Sequence, residues 1–204
     1  MAELEVKFYF AYTSPFTYLA LAPAYELERS YRVKLRFIPY GVNIRGVYGG
    51  EVAERDERNR RKLRYLYLDA RRMAAEAGLT IHPPRRIYSA RRAFYGGMCA
   101  EDQGLFRPYA ARVFERFWQR ELEVESAAAL EAILAEIGAD PAQFRTYIQD
   151  EEAVAKPRLK ACFAEAARDQ VFGVPTFVVD GERFWGCDRF EWIKRKLDDL
   201  GLAA

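Results

Sequence analysis

The chain has 204 residues, half of them hydrophobic, with 32 basic and 30 acidic residues and a formal net charge of +2. That balance is not the electrostatic footprint of a nucleic-acid binder, and no apolar run reaches the length of a membrane span. Cys99, Cys162 and Cys187 form no CxxC pair and no disulfide framework, and with His82 as the single histidine they offer no metal-ligand spacing.

The opening residues, Met1-Ala2-Glu3-Leu4-Glu5, are acidic and lack the basic start and apolar stretch of a signal peptide, so a cytoplasmic location is expected. Residues 3–10 are aromatic and β-branched and predict a strand. Ser14-Pro15 then reads as a helix start, a hydroxyl cap followed by proline in the first turn. The first helix is expected over residues 16–29, with Pro23 bending it or disturbing one turn. Residues 33–39 predict a second strand, parallel to the first through a right-handed crossover.

The middle of the chain predicts helices. Residues 51–77 carry Leu63, Leu66, Tyr67, Ala70 and Ala74 at helical spacing, and Gly78 ends that helix. Residues 81–86 read as a proline-rich basic loop, followed by helices over 89–102 and 107–120. Ser126 is expected to cap a helix over 127–137. Asp140-Pro141 opens another, with Gln143 completing a capping-box pattern. A helix to about residue 170 follows Pro157. Val174-Pro175 then enters a strand, Asp180-Gly181 makes a two-residue hairpin turn, and residues 182–185 return. Asp188 is expected to cap the last helix, which runs through residue 200. The order is β-α-β, a helical block, then α-β-β-α.

Two segments carry a family resemblance: Phe8-Tyr9-Phe10-Ala11-Tyr12-Thr13-Ser14-Pro15-Phe16-Thr17-Tyr18-Leu19-Ala20, and Val171-Phe172-Gly173-Val174-Pro175-Thr176-Phe177 with Trp185-Gly186-Cys187-Asp188-Arg189-Phe190. Together they resemble the DsbA-like family, in the branch of kappa-class glutathione transferases and 2-hydroxychromene-2-carboxylate isomerases. Lys62-Leu63-Arg64-Tyr65-Leu66-Tyr67-Leu68-Asp69 and Tyr88-Ser89-Ala90-Arg91-Arg92 add weaker support. The resemblance implies an α/β, thioredoxin-like fold with a large all-helical insertion between the β-α-β and β-β-α halves. Residues 1–45 and 157–204 would form the thioredoxin-like domain and residues 46–156 the inserted helical domain. Redox relatives carry Cys-x-x-Cys where this chain has Ser14-Pro15-Phe16-Thr17. A hydroxyl cannot form the mixed disulfide that exchange requires, which argues against a disulfide oxidoreductase.

What the resemblance implies for function is a glutathione-dependent enzyme resembling the 2-hydroxychromene-2-carboxylate isomerases. Ser14 would be the catalytic residue, stabilising the thiolate of reduced glutathione. Ser14, Phe16, Val174, Pro175, Trp185, Gly186, Cys187 and Asp188 would hold that cofactor, with Val174-Pro175 cis. Lys62 and Tyr88 would bind a small substrate, an aromatic or unsaturated acid. A homodimer is implied, with neither nucleic acid nor membrane as partner. A kappa-like transferase and a non-enzymatic peptide-binding module are the alternatives. Plainer readings stand beside these: Ser14 and Asp188 as ordinary helix caps, Lys62 as part of a solvated basic face over residues 58–64, and Cys187 as a packing residue. The isomerases carry an Asn-Arg pair ahead of this helix. Glu54-Arg55-Asp56 matches it only in part, which leaves the substrate open.

Overall fold

The computed structural model describes residues 3–42 and 56–204. The chain divides into two compact units, one of residues 1–42 and 161–204, the other of residues 43–160.

The first unit is built on a four-stranded sheet. Strand β1 (Leu4–Phe10) leads into helix α1 (Pro15–Ser30) and strand β2 (Val33–Pro39). β1 and β2 pair in parallel from Leu4–Val33 to Phe10–Pro39, as the crossover argument expects. Strands β3 (Thr176–Val179) and β4 (Glu182–Trp185) form a hairpin that lies antiparallel on the other side of β1, giving the order β2-β1-β3-β4. Asp180 and Gly181 make the turn with φ of 49° and 79°. Two positive φ values in succession are what a tight hairpin demands, and Asp-Gly accommodates them.

β1 lies inside the sheet, and from Val6 onward all its residues are buried except Lys7, a charge within an otherwise apolar stretch. On one face Phe8 stacks on Phe177 at 4.4 Å and meets Phe37 at 5.1 Å. Tyr25 of α1 closes on Phe37, and Phe190, which begins the last helix, closes on Phe177. On the other face Tyr9, Ile38 and Val178 pack with Ala166. α1 runs through Pro23 without a break.

The second unit is helical among the described residues. It comprises α2 (Glu57–Glu76), α3 (Arg91–Asp102), α4 (Phe106–Trp118), α5 (Ala127–Glu136) and α6 (Ala142–Gln149). A wide turn, Glu151–Ala155, follows and feeds α7 (Lys156–Arg168), whose residues from 161 onward belong to the first unit. The helix expected over 51–77 is described from Glu57, capped by Asp56, which accepts the Asn59 N–H; residues 51–55 of that expectation lie outside the described residues. Ser126 caps α5 as expected.

The capping box at Asp140 is a correction. Gln103 accepts the Asp140 N–H at 2.7 Å and donates to its carbonyl at 2.9 Å. Gln143 turns instead to Asp102 and Tyr147. A partner from α3's C-terminus outcompetes the local one, which sequence spacing cannot show. The aromatic residues of this unit are mostly core: Phe94, Tyr95, Phe114, Phe117 and Trp118 are all buried, whereas Tyr65 is exposed.

α3 and α4 meet where Gly96 lies under Tyr109. The Tyr109 hydroxyl, fully buried, donates to the Ala93 carbonyl at 3.1 Å. A Cβ at residue 96 would sit 2.1 Å from that oxygen and 2.6 Å from Cζ. Gly96→Ala therefore forces the ring off its acceptor in a filled core. The expected loss is about 1–3 kcal/mol by urea denaturation; a change within error would mean the helices slide apart at no cost.

Candidate functional site

The site begins at the first turn of α1. Ser14 is its N-cap, extended at φ −98°, ψ 116°, and Oγ accepts the Thr17 N–H at 3.2 Å. Pro15 has no N–H to offer, and the N–H of Phe16 has no acceptor within the helix at this position. No acidic side chain occupies the first turn. The positive end of the helix dipole is thus left for a ligand's negative charge. Phe16 is half-buried beside it.

The same serine reaches the loop that enters β3. Ser14 Oγ donates to the Val174 carbonyl at 3.4 Å, across 160 residues of sequence. The Val174–Pro175 peptide is cis. Pro175 is buried, and its carbonyl accepts the Gly186 N–H at 2.9 Å. Thr176 Oγ1 donates back to the Gly173 carbonyl at 2.7 Å. A hydrogen bond of 3.4 Å is at the long limit, so the single hydroxyl proton of Ser14 is weakly committed.

The β4 side supplies the rest. Trp185 is exposed but packed: its indole nitrogen lies 2.8 Å from where a Cβ on Gly173 would stand, and Phe172 meets its ring edge-on at 4.9 Å. Gly186 has φ +124° and would bring a Cβ to 2.5 Å from Asp188 Oδ1, so only glycine fits. Cys187 is half-buried and in no disulfide. The Asp188 cap is the second correction. The last helix, α8 (Phe190–Asp199), starts two residues beyond it and has no side-chain cap. The Asp188 carboxylate stays exposed and pairs with Arg189 at 3.3 Å.

A scan against protein-family models matches the DsbA-like thioredoxin domain over residues 5–198. The chain belongs to the DsbA-like thioredoxin family. Within that family it is similar to 2-hydroxychromene-2-carboxylate isomerase of Pseudomonas putida, 28% identical over 197 residues, or 96% of this chain and 95% of that one. The isomerase of Pseudomonas sp. (strain C18) is 29% identical over 190 residues, 90% of this chain and 85% of that one. A solved structure of 2-hydroxychromene-2-carboxylate isomerase superposes with a TM-score of 0.79 at 25% identity, covering 97% of this chain and 96% of the other. A probable DsbA oxidoreductase from Streptomyces coelicolor reaches the same TM-score at 18% identity, with 97% and 89% covered, and shares the fold.

The two residues expected to meet a substrate belong to the helical unit of this DsbA-like protein. Lys62 is exposed on α2, in a run where Glu57 pairs with Arg60, Arg61 and Arg64. Tyr88 is half-buried, edge-on to Phe117, with the Arg86 guanidinium 4.1 Å over its ring. Arg86 in turn is held by Glu123 and Glu125. Among the described residues no group of His, Cys, Asp and Glu is arranged to hold a metal ion, and no helix is long and apolar enough to cross a membrane.

The sequence reading missed the polar network beneath the loop. Lys7 of β1 pairs with Asp169 at 2.7 Å and Glu165 at 3.0 Å, and Tyr9 donates to Asp169 at 2.5 Å. Arg36 of β2 joins through Glu165 and Glu5. The one signal was Lys7 itself, a charge inside a central strand. Burial pushes the Asp169 carboxyl up, but the bonds from Lys7 and Tyr9 outweigh it and hold the carboxyl below its ordinary range. Burial likewise opposes Arg36 and Lys7 at Glu165, and the two cations win.

Depressed carboxyl pKa values contribute stability that is present above the unfolded value, about pH 4, and lost as pH falls through the folded one. Lys7→Met removes a cation from both carboxylates. Its destabilisation, measured by urea unfolding, should be largest near pH 7 and shrink as pH falls below about 4. A gap that does not change with pH would contradict the assignment.

Proposed function

We propose that this protein is a glutathione-dependent isomerase acting on a small unsaturated aromatic acid, in the manner of the 2-hydroxychromene-2-carboxylate isomerases it resembles. The observation that carries the reading is the juxtaposition at Ser14: a weakly committed hydroxyl at a helix N-terminus with no acidic side chain in its first turn, 3.4 Å from the carbonyl of Val174. The residues present fit reduced glutathione. The half-buried backbone of Val174 suits a peptide lying in strand fashion. The exposed Asp188 carboxylate and the Arg189 guanidinium suit the ammonium and carboxylate of its γ-glutamyl end. Trp185, Gly186 and Cys187 shape the turn that presents them. Phe16 offers its N–H and ring beside the sulfur's place.

When bound, glutathione supplies a nucleophilic thiolate that adds reversibly to an unsaturated bond. The protein's part is to keep that sulfur ionised. Ser14 Oγ turns its proton from the Val174 carbonyl toward the negative charge, while its lone pair keeps the Thr17 N–H. The dipole of α1 acts in the same direction. Ser14 gives no disulfide chemistry in this role, since oxygen cannot take the place of the attacking sulfur. Lys62 and Tyr88 are proposed to receive the acid.

Ser14→Ala tests the reading. A hydrogen bond to a charged group is worth about 1.5–3 kcal/mol, so turnover of 2-hydroxychromene-2-carboxylate near neutral pH should fall by roughly ten- to a hundredfold. Part of it should return as pH rises and the thiol ionises unaided. Wild-type turnover that does not depend on added glutathione, or an unchanged Ser14→Ala rate, would overturn the proposal. Conjugation of an electrophile without isomerisation would move it to the transferases.

A further inference from the structure

We infer that Asp169 is a positioning residue, whose carboxylate fixes the loop that presents Val174 to Ser14. Asp169 follows the last residue of α7, and five residues on stands Val174. The whole segment is held from outside itself. Lys7 and Tyr9 of β1 grip the Asp169 carboxylate at 2.7 and 2.5 Å. Arg183 of β4 donates to the carbonyls of Asp169 and Gln170, at 3.3 and 2.8 Å, and to the Gln170 side chain at 2.9 Å.

Gln170 is where this grip matters most. It has φ +54°, the left-handed conformation in which helices usually end on glycine. Gln170 N–H bonds the Ala167 carbonyl, and Val171 N–H bonds the Ala166 carbonyl at 2.8 Å, which together close α7. A non-glycine residue persists there only when its surroundings over-determine it, and Asp169 and Arg183 are those surroundings. Beyond the turn the chain cannot drift far. Tyr40 donates to the Val171 carbonyl at 3.4 Å, and Val171 and Val174 pack on the Tyr9, Ile38 and Val178 cluster.

Glu165 separates positioning from mere anchoring. It lies one turn earlier on α7 and shares Lys7, but pairs with Arg36 rather than Tyr9. Losing Glu165 loosens α7 on the sheet. Losing Asp169 leaves the fully buried Tyr9 hydroxyl without its acceptor and frees the turn that aims the loop.

The consequence for thiol binding rests on the proposed function; the consequence for the loop does not. Amide hydrogen exchange, read by mass spectrometry on peptides covering residues 171–176, should speed up by about tenfold or more in Asp169→Ala, as expected when a buried partner is removed. Exchange in residues 33–39 should stay as in the wild type. Reduced glutathione should bind at least about fivefold more weakly to the same variant. Asp169→Asn, which keeps an acceptor for Tyr9, should recover most of both effects, and Glu165→Gln should leave both within about twofold. Equal acceleration of residues 171–176 in Asp169→Ala and Glu165→Gln, or none in either, would overturn the inference. If Asp169→Ala does not fold, Tyr9→Phe decides: faster exchange in the loop supports the inference and unchanged exchange refutes it. If the wild type binds no reduced glutathione, the proposed function falls while the exchange measurement still decides on Asp169.

Discussion

Two stretches of chain that are 160 residues apart meet at one hydroxyl. Ser14 Oγ caps α1 by accepting from Thr17 and at the same time donates to Val174, so the positive end of a helix and a half-buried strand entry are brought to one point. Neither alone makes a site. A helix N-terminus attracts any anion, and a half-buried strand entry accepts any extended peptide. Their meeting suits the ligand proposed above, since glutathione bound through its thiolate has both a negative atom and a peptide backbone.

The sheet exists, in functional terms, to hold that meeting in place. β1 is central: its Cα register fixes Phe10 and hence Ser14 four residues on, and fixes Tyr9 opposite Thr176 of β3. Tyr9 and Lys7 on the same strand then reach Asp169, so one strand sets both the helix start and the loop that faces it. Surface ion pairs of this kind contribute little when solvated. Here Tyr9 is fully buried and the Asp169 and Lys7 side chains are 19% and 26% exposed, so breaking the pair leaves polar groups without solvent to replace it.

Legibility in the sequence followed the range of the interaction involved. The β1-α1-β2 unit and the Asp-Gly hairpin were readable because period, proline position and turn chemistry are local. The Ser126 cap was readable for the same reason, since its acceptor and donor are three residues apart. Two expectations that misled, Gln143 as the capping-box partner of Asp140 and Asp188 as a cap, show the limit. At Asp140 a glutamine 37 residues away took the N–H that Gln143 was expected to take. At Asp188 the helix starts two residues later, at Phe190, and the carboxylate pairs with Arg189 instead of capping it. In the site, Ser14, Val174 and Asp188 came from the family resemblance, which a cap and a proline alone would not have singled out. Asp169, Arg183 and Tyr9 were invisible because a polar residue at a helix end reads as a solvated terminus until the strand that meets it is known.

The proposed function requires the bound thiol to ionise on this fold. Binding a protonated thiol as thiolate must release its proton, and at pH 7 an ordinary thiol, with pKa about 8.5, still carries it. Calorimetry of reduced glutathione binding in two buffers of different ionisation enthalpy counts that proton. About one proton should be released per site, and none on binding S-methylglutathione, which has no thiol to ionise. Reduced glutathione that binds with no proton released would contradict the claim, whatever its affinity.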